Sequence, residues 1–433
     1  MNPDPRRRPD EVAELATPLR SPADLDPLLD RIGDARLVLV GEASHGTHEY
    51  YHWRAELTKR LIAERGFTVV AVEGDWPDCH RIDRAVRTET AGSVREVLQT
   101  FERWPTWMWA NAEVEGFATW LKERNLDRAP AAQVGFYGLD VYSLWASLRV
   151  IIDYLDVHDG QAALTARRAW SCLEPYAEDP QEYALATRVV PTSCEEEVVA
   201  LLTRLQQDAG VVGDDAEGRF QAEQNAAVAA DAERYYRAMV RGGASSWNIR
   251  DRHMVDTLDR VLAHRGPHTK AVVWAHNTHV GDARATDMAA AGMVNVGQLV
   301  RERYGGDDVV IVGAGSYRGE VIAAREWGLP FEVLPVPEAP AGSLEELLHR
   351  AAPARSQFVF PDRQVDWLDA RLGHRAIGVV YRPERERRGQ YVPTRLGRRY
   401  DAFWFLDTTA ALRPVPPEVP QPDREQETYP FGD

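Results

Sequence analysis

Two apolar runs near the start of the chain each lead into a glutamate: Arg36–Leu37–Val38–Leu39–Val40–Gly41–Glu42 and Phe67–Thr68–Val69–Val70–Ala71–Val72–Glu73. A third run, Ala271–Val272–Val273–Trp274–Ala275, leads into His276–Asn277–Thr278–His279. Open α/β sheets carry their chemistry at the carboxyl ends of their strands. If the three runs are parallel neighbours, Glu42, His45, Glu73, His276 and His279 meet at one rim. A carboxylate beside an imidazole fixes its tautomer and stabilises its cation, so this set suits histidine activation of a water molecule. Each residue alone reads as a structural ion pair or a core histidine; the agreement of three strand ends singles out the rim. Arg54, on the helix after the first run, is placed to pair with Glu42 or Glu73 or to hold a substrate oxygen. The same carboxylates and imidazoles are also N/O donors for a divalent ion. Spacing does not separate metal-bound from histidine-activated water. The reading adopted is the metal-free one, with no cofactor; a divalent metal is its alternative.

Other patterns carry less. No G-x-S-x-G elbow exists; around Ser316, Ala314 and Arg318 stand where the two glycines belong. His48–Glu49–Tyr50–Tyr51–His52 spells the zinc-protease pattern, but it follows a strand-end glutamate in a βαβ unit and reads as a helix face. Val309–Val310–Ile311–Val312–Gly313–Ala314–Gly315–Ser316–Tyr317–Arg318–Gly319 resembles a dinucleotide-binding turn, with Arg318 in place of the last glycine. A closely packed strand and turn accounts for it better.

The elements that must position the rim are legible in the periodicity. A helix is predicted from Pro22 to Ile32. A second runs from about Thr47 to Arg65, with Trp53, Leu57, Leu61 and Ile62 at helical spacing and Gly66 as its closing residue. The chain therefore begins βαβ, which implies a parallel pair with a right-handed crossover. Residues 78–125 read as helices broken by Trp104–Pro105–Thr106–Trp107–Met108–Trp109. A strand from Gln133 to Leu139 ends at Asp140. From about 143 to 265 no strand is predicted; this is a helical insertion, placed as a cap over the rim. Strands resume at Lys270–Ala275, Asp308–Gly313 and Ala376–Tyr381, with shorter ones near Phe331–Val336, Gln357–Phe360 and Phe403–Leu406. The fold class expected is α/β: a mostly parallel central sheet flanked by helices, with a helical lobe over the carboxyl ends of the strands. Residues 1–20 are expected to be a poorly ordered leader, 21–412 the α/β domain and 413–433 a disordered tail.

Composition narrows the partners. The chain has 433 residues and a net charge of −16, which repels phosphate backbones and argues against nucleic acid. The clusters Arg6–Arg7–Arg8 and Arg385–Glu386–Arg387–Arg388 are local. Cys79, Cys172 and Cys194 form no C-x-x-C pair and read as buried thiols in a reducing compartment. No secretory apolar run follows Met1 and no run reaches membrane-spanning length. The expected setting is the cytoplasm, with no membrane partner; the oligomeric state is left open.

Three segments resemble the erythromycin esterase family: Gly41–Glu42–Ala43–Ser44–His45–Gly46–Thr47 with Arg54, Val72–Glu73–Gly74–Asp75–Trp76, and Trp274–Ala275–His276–Asn277–Thr278–His279–Val280–Gly281–Asp282. Trp104–Trp109, Ser246–Met254 and Ala376–Pro383 resemble it too, in the same order, so the likeness spans about residues 20 to 412. It implies hydrolysis of a carboxylic ester or lactone, with the macrolide ring and antibiotic resistance as the defined case, and no serine nucleophile. By position it implies His45 as general base, Glu42 and Glu73 as its carboxylate partners, and Arg54 and His276 as polarising or water-positioning groups. His279, Asp75, Trp76, Trp107, Trp109 and Arg250 are the implied substrate-binding set. It further implies a small-molecule substrate held in a cleft between sheet and lobe. One departure bears on substrate: the resistance esterases tend to carry an aromatic residue after the active histidine, where this chain has Gly46–Thr47. More distant relatives include metal-dependent and haem-handling members. A binding protein without turnover, with Trp76, Trp104, Trp107, Trp109 and Trp247 around an apolar ligand, is the competing class.

Overall fold

A computed structural model describes residues 8–89, 92–176, 180–189, 193–207 and 216–416. Among the described residues the strands are β1 (Thr17–Pro18), β2 (Leu37–Val40), β3 (Val69–Asp75), β4 (Gly135–Asp140), β5 (Ala271–Trp274), β6 (Val309–Ala324), β7 (Phe331–Val336), β8 (Arg355–Val359), β9 (Arg371–Arg375), β10 (Tyr391–Arg395) and β11 (Ala402–Thr409). Nine of them make one sheet in the order β1-β8-β11-β6-β2-β5-β3-β4, with β7 on β6. The run from β11 to β4 is parallel throughout. β1, β7 and β8 pair antiparallel around it. This is the mostly parallel α/β sheet expected from the sequence.

The strand sequences dictate burial on both faces. Val38, Val40, Val70, Val72 and Val272 enter one apolar cluster. Their neighbours Leu37, Leu39, Val69, Ala71 and Val273 enter the other. Successive side chains point to opposite faces, so a run of aliphatics without alternation suits a strand covered on both sides. The helix His48–Glu64 covers the first face with Trp53, Leu57, Leu61 and Ile62. Each such side chain contributes about 1.5–3 kcal/mol on burial. Gly66 follows that helix with φ +73°, a conformation costly for any side chain with a Cβ. The helix Ser245–Arg265 covers the second face with Met254, Leu258 and Val261. Helices alone occupy the described part of 144–265, and those from Leu144–His158 to Ala216–Met239 close a separate apolar cluster.

Several expectations need correction. β2 and β3 are parallel but not adjacent, because β5 lies between them. Ala376–Tyr381 is not a strand. It belongs to the link between β9 and β10, makes the isolated bridges Ser44 with Ile377 and Ala324 with Val380, and packs Ile377 and Tyr381 with Val321, Ala323, Leu334 and Val336 of β6 and β7. The antiparallel β9–β10 pair itself was not expected. The leader is structured from residue 8: Arg8–Leu15 is helical, Val12 is fully buried, and β1 extends the sheet beside β8. At the other end, Val415 is buried and Pro414 bridges to Asn111, so the ordered chain runs past 412. Residues 1–7 and 417–433 lie outside the described residues. No helix among the described residues is long and apolar enough to cross a membrane.

The cysteine reading also changes. Cys172 and Cys194 form a disulfide that joins the end of the helix Gly160–Leu173 to the start of the helix Glu195–Gln207, leaving Cys79 as the free, buried thiol. The pair is 22 residues apart in the chain, a separation with no local signature. The cysteines therefore no longer argue for a reducing compartment. Thiol titration of the unfolded, unreduced chain is expected to count a single sulfhydryl, and all three after reduction; three without reduction would contradict the bond.

Candidate active site

The register of the parallel strands brings the rim together. Val40 pairs with Trp274, and Trp274 with Val72, so these three residues lie level, with β2 and β5 ending there and β3 continuing to Asp75. Glu42 stands just past β2, His276 just past β5, and Glu73 on β3 directly after Val72. Asn277 donates its backbone N–H to the Glu42 carbonyl at 2.8 Å, and Ile377 donates to Ala43 at 2.8 Å. These bonds stitch the loop of His45 to the neighbouring strand end and to the link after β9.

His45 Nδ1 lies 2.8 Å from Glu42 Oε1. An ionised carboxylate only accepts, so Nδ1 carries the hydrogen and Nε2 presents its lone pair. Nε2 is 3.9 Å from Glu73 Oε1, a gap that a single shared water can span. Glu42 Oε2 accepts from Arg54 at 2.7 Å. Arg54 is completely buried, with the rings of Tyr51, Trp274 and Trp109 at 3.6, 4.9 and 5.4 Å from its guanidinium carbon. Arg54 does not line the cleft; it holds Glu42 from behind.

Glu73 is the other hub. Its Oε1 accepts from Arg250 at 2.7 Å and lies 3.3 Å from His279 Nε2. Its Oε2 accepts the His276 backbone N–H at 2.8 Å. Burial opposes its charge, but His279, His45 and Arg250 outweigh that and hold its carboxyl well below the usual range. His279 Nδ1 sits 3.0 Å from both Asp251 oxygens. Burial works against the His279 cation, yet Asp251 and Glu73 raise it to about 9. Trp247 stacks flat on this ring, 4.6 Å between centroids. Arg250 makes a two-pronged bond to Asp140 at 2.9 and 2.7 Å. Trp247, Arg250 and Asp251 share one face of their helix by their spacing of three and four.

These groups border a cavity of about 410 Å³ between sheet and lobe, within the usual range for small-molecule sites. Its apolar wall is Phe101, Trp104, Trp109, Tyr142, Trp247 and Trp327. The Trp104 and Trp327 rings pack against each other at a tilt, 4.6 Å between centroids. Asp75 also lines it and pairs with Arg103 at 2.6 Å.

Of the residues expected from the sequence, His45, Glu73, His276, His279, Asp75, Trp109 and Arg250 line the cavity. Glu42 and Arg54 stand directly behind His45. Trp76 and Trp107 are not brought to the site: both are buried in the packed core, Trp76 donating to Gln221 at 2.8 Å. Asp251, Tyr142 and Thr278 were missed, and Asp140 was noted only as a strand-end acid. For Asp251 the signal was present in its spacing from Trp247 and Arg250. Among the described residues no group of three or more His, Cys, Asp or Glu side chains is arranged to hold a metal ion. The Arg250 guanidinium stands among Glu73, Asp140 and His279, where such an ion would seek its oxygen and nitrogen donors.

Comparison with known proteins gives one family match, to erythromycin esterase, over residues 62–409. The chain is 22% identical to an erythromycin esterase type II of Escherichia coli over 359 residues, 78% of this chain and 83% of that protein. It superposes on a succinoglycan biosynthesis protein with a TM-score of 0.76 at 22% identity, over 94% of this chain and 98% of the other. For a Bacillus cereus protein the TM-score is 0.78 at 19% identity, over 95% and 99%. For a mutant of the erythromycin esterase EreC in its open conformation it is 0.64 at 18% identity, over 90% and 95%. At these identities the structures establish the fold alone.

Two outcomes follow from the geometry. A Cβ on Gly46 would overlap the Ile322 carbonyl of β6, so no side chain fits there without moving that strand. Gly46→Ala is expected to cost about 1–3 kcal/mol of stability and to displace His45, read as a lowered melting temperature; unchanged melting would contradict the close approach. The folded chain keeps a proton on His279 up to about pH 9, whereas an unfolded histidine loses it near about 6.5. The native state then binds more protons, and stability falls as pH rises through that window. Denaturant titrations should show this decline in the parent chain and a flatter profile in His279→Asn.

Proposed function

The chain belongs to the erythromycin esterase family, and we propose that it hydrolyses a carboxylic ester or lactone with a water activated by His45. The observation that carries this reading is the His45 ring held between two carboxylates: Nδ1–H fixed on Glu42 at 2.8 Å, Nε2 open toward Glu73 at 3.9 Å and the cavity.

A water between His45 Nε2 and Glu73 Oε1 gives one proton to Nε2 as its oxygen attacks the carbonyl carbon. The imidazolium formed lies between Glu42 and Glu73, whose negative charges stabilise it. When the tetrahedral intermediate collapses, the ester C–O bond breaks and the Nε2 proton passes to the leaving alkoxide. The sum is addition of one water, and His45 ends as it began. Arg54 holds Glu42 in place by its hydrogen bond to Oε2, and Arg250 and His279 hold Glu73 likewise. The aromatic wall supplies apolar surface for the acyl or ring portion of the substrate, with the macrolide lactone as the candidate the family suggests.

The test is incubation with erythromycin and with 4-nitrophenyl butyrate, followed by mass spectrometry for a product heavier by one water or by release of nitrophenol. His45→Asn is expected to lower turnover by about a hundredfold to ten-thousandfold, the usual contribution of a positioned base. Turnover retained in that variant would sink the mechanism.

A further inference from the structure

Behind the rim lies a second imidazole–carboxylate pair that the hydrolytic steps do not use. His374 is on β9 and Glu345 on the helix Leu344–Ala351, and both are buried. His374 Nδ1 lies 2.6 Å from Glu345 Oε1, which also accepts the Arg375 backbone N–H at 2.9 Å. The other ring nitrogen, Nε2, lies 3.2 Å from Asn277 Nδ2, and Nδ2 lies 2.7 Å from the Ala314 carbonyl of β6. The two ends of this chain fix the hydrogens between them. A carbonyl only accepts, so the Asn277 amide turns its NH2 toward Ala314 and His374. A carboxylate also only accepts, so the His374 hydrogen is on Nδ1, and Nε2 takes the second Asn277 hydrogen. Burial opposes the charge on Glu345, but His374 and Arg375 outweigh it and hold the carboxyl below its usual range. Burial pushes His374 below the usual histidine range, against the pull of Glu345, so the ring stays neutral with Nε2 bare.

Asn277 is the residue to which both sides of the rim are tied. Its backbone N–H goes to the Glu42 carbonyl at 2.8 Å, and the preceding N–H, that of His276, goes to Glu73 Oε2 at 2.8 Å. Its carbonyl accepts from Arg399 at 2.8 Å and from the Gly281 N–H at 3.0 Å. A Cβ on Gly41 would overlap Asn277 Oδ1, so the backbone leading into Glu42 leaves room for this side chain. Two consecutive peptide N–H groups thus hold the two glutamates that flank His45, and the side chain of the second is held by His374.

We propose that His374, anchored on Glu345, is a positioning residue for the rim: by accepting from the Asn277 side chain it fixes the peptide segment 276–277, and with it the separation of Glu42 and Glu73 across which His45 works. Its effect on turnover rests on the hydrolase reading; its effect on the placement of His45 does not. Neither His374 nor Glu345 borders the cavity, so neither meets the substrate. Their action is on geometry, where a small displacement of a base from its water is costly.

Two substitutions in the full chain separate the bond to Asn277 from the bond to Glu345. The amide of glutamine stands near the place of Nε2, so His374→Gln keeps an acceptor for Asn277 and gives up the donor to Glu345. The amide of asparagine reaches only the place of Nδ1, so His374→Asn keeps the donor and gives up the acceptor. On 4-nitrophenyl butyrate, His374→Asn is expected to lower kcat about tenfold to a hundredfold with KM within about twofold, the loss from a misplacement on the order of 1 Å. His374→Gln is expected to recover most of that loss. A role confined to packing or to satisfying Glu345 gives equal losses or the reverse order, and either result overturns the proposal. A second readout needs no turnover. With ¹⁵N-histidine, the His374 ring, identified by its loss in His374→Gln, is expected to show Nδ1 protonated and Nε2 bare. The His45 Nδ1–H signal, identified by its loss in His45→Asn, is expected to shift in His374→Asn and to hold its place in His374→Gln. A protonated His374 Nε2 in the parent protein, or a His45 signal unmoved in His374→Asn, overturns the proposal. If His374→Asn does not fold, the parent spectrum and His374→Gln decide. If the parent protein turns over no ester, the hydrolase reading fails on its own, and the His45 shift still decides the positioning.

Discussion

The carboxylate of Glu42 is the interaction on which the rest of the site depends. It is nearly inaccessible to solvent, and its two oxygens are divided between Arg54 and His45. A carboxylate and a guanidinium buried together are tolerated only when both are well solvated by the protein. Here the guanidinium lies among three aromatic rings, whose faces attract cations and replace part of its lost hydration. The pair thus turns a helix residue and a strand-end residue into a rigid mount for one imidazole. From that mount basic and acidic side chains follow one another across the rim: Arg54, Glu42, the His45 imidazole, Glu73, His279, Asp251. Arg250 and Asp140 close the far side. Glu73, with His279, His45 and Arg250 around it, is held well below the usual carboxylate range despite its burial.

Much of this was legible in the chain because parallel strands buried on both faces read as unbroken aliphatic runs. The residue where each run stops is therefore visible, and Glu42, Glu73, Asp140 and His276 were found that way. The order of the strands was not legible. Nothing local in Ala271–Trp274 says that it enters between β2 and β3. Aromatic identity was a poor guide to facing: Trp109 lines the cavity, while Trp76 and Trp107, from equally aromatic stretches, pack into the core. Asp251 was passed over because a charged residue inside a helix looks like solvated surface, although its spacing puts it on one face with Trp247 and Arg250. Its meaning comes from His279, which is distant in sequence. Ala376–Tyr381 has the composition of a strand but only isolated bridges, since its backbone follows the loop of His45 on one side and the end of β6 on the other.

The family match begins at residue 62, after Glu42, His45 and Arg54. The geometry connects those three residues to the matched part: His45 reaches Glu73 and His276 across the sheet, and Asn277 is bonded to the Glu42 carbonyl. Gly46 illustrates a difference in shape at this junction. The backbone there is pressed against β6 and also accepts hydrogen bonds from Ile322 and Leu412. The position after the histidine is filled by the scaffold itself, with the Ile322 carbonyl of β6 where a side chain would stand.

The insertion of β5 between β2 and β3 sets a condition on biosynthesis. The segment that carries His45 and both glutamates leaves the ribosome long before residues 271–274, with the whole helical lobe made in between. Until the late strand arrives, the two early ones lack the neighbour that both bond to, and the gap between them exposes unpaired peptide groups. Filling of the gap between β2 and β3 and convergence of Glu42, Glu73 and His276 are thus a single event. The interval before that event is when the chain is most open to pairing with the wrong edge.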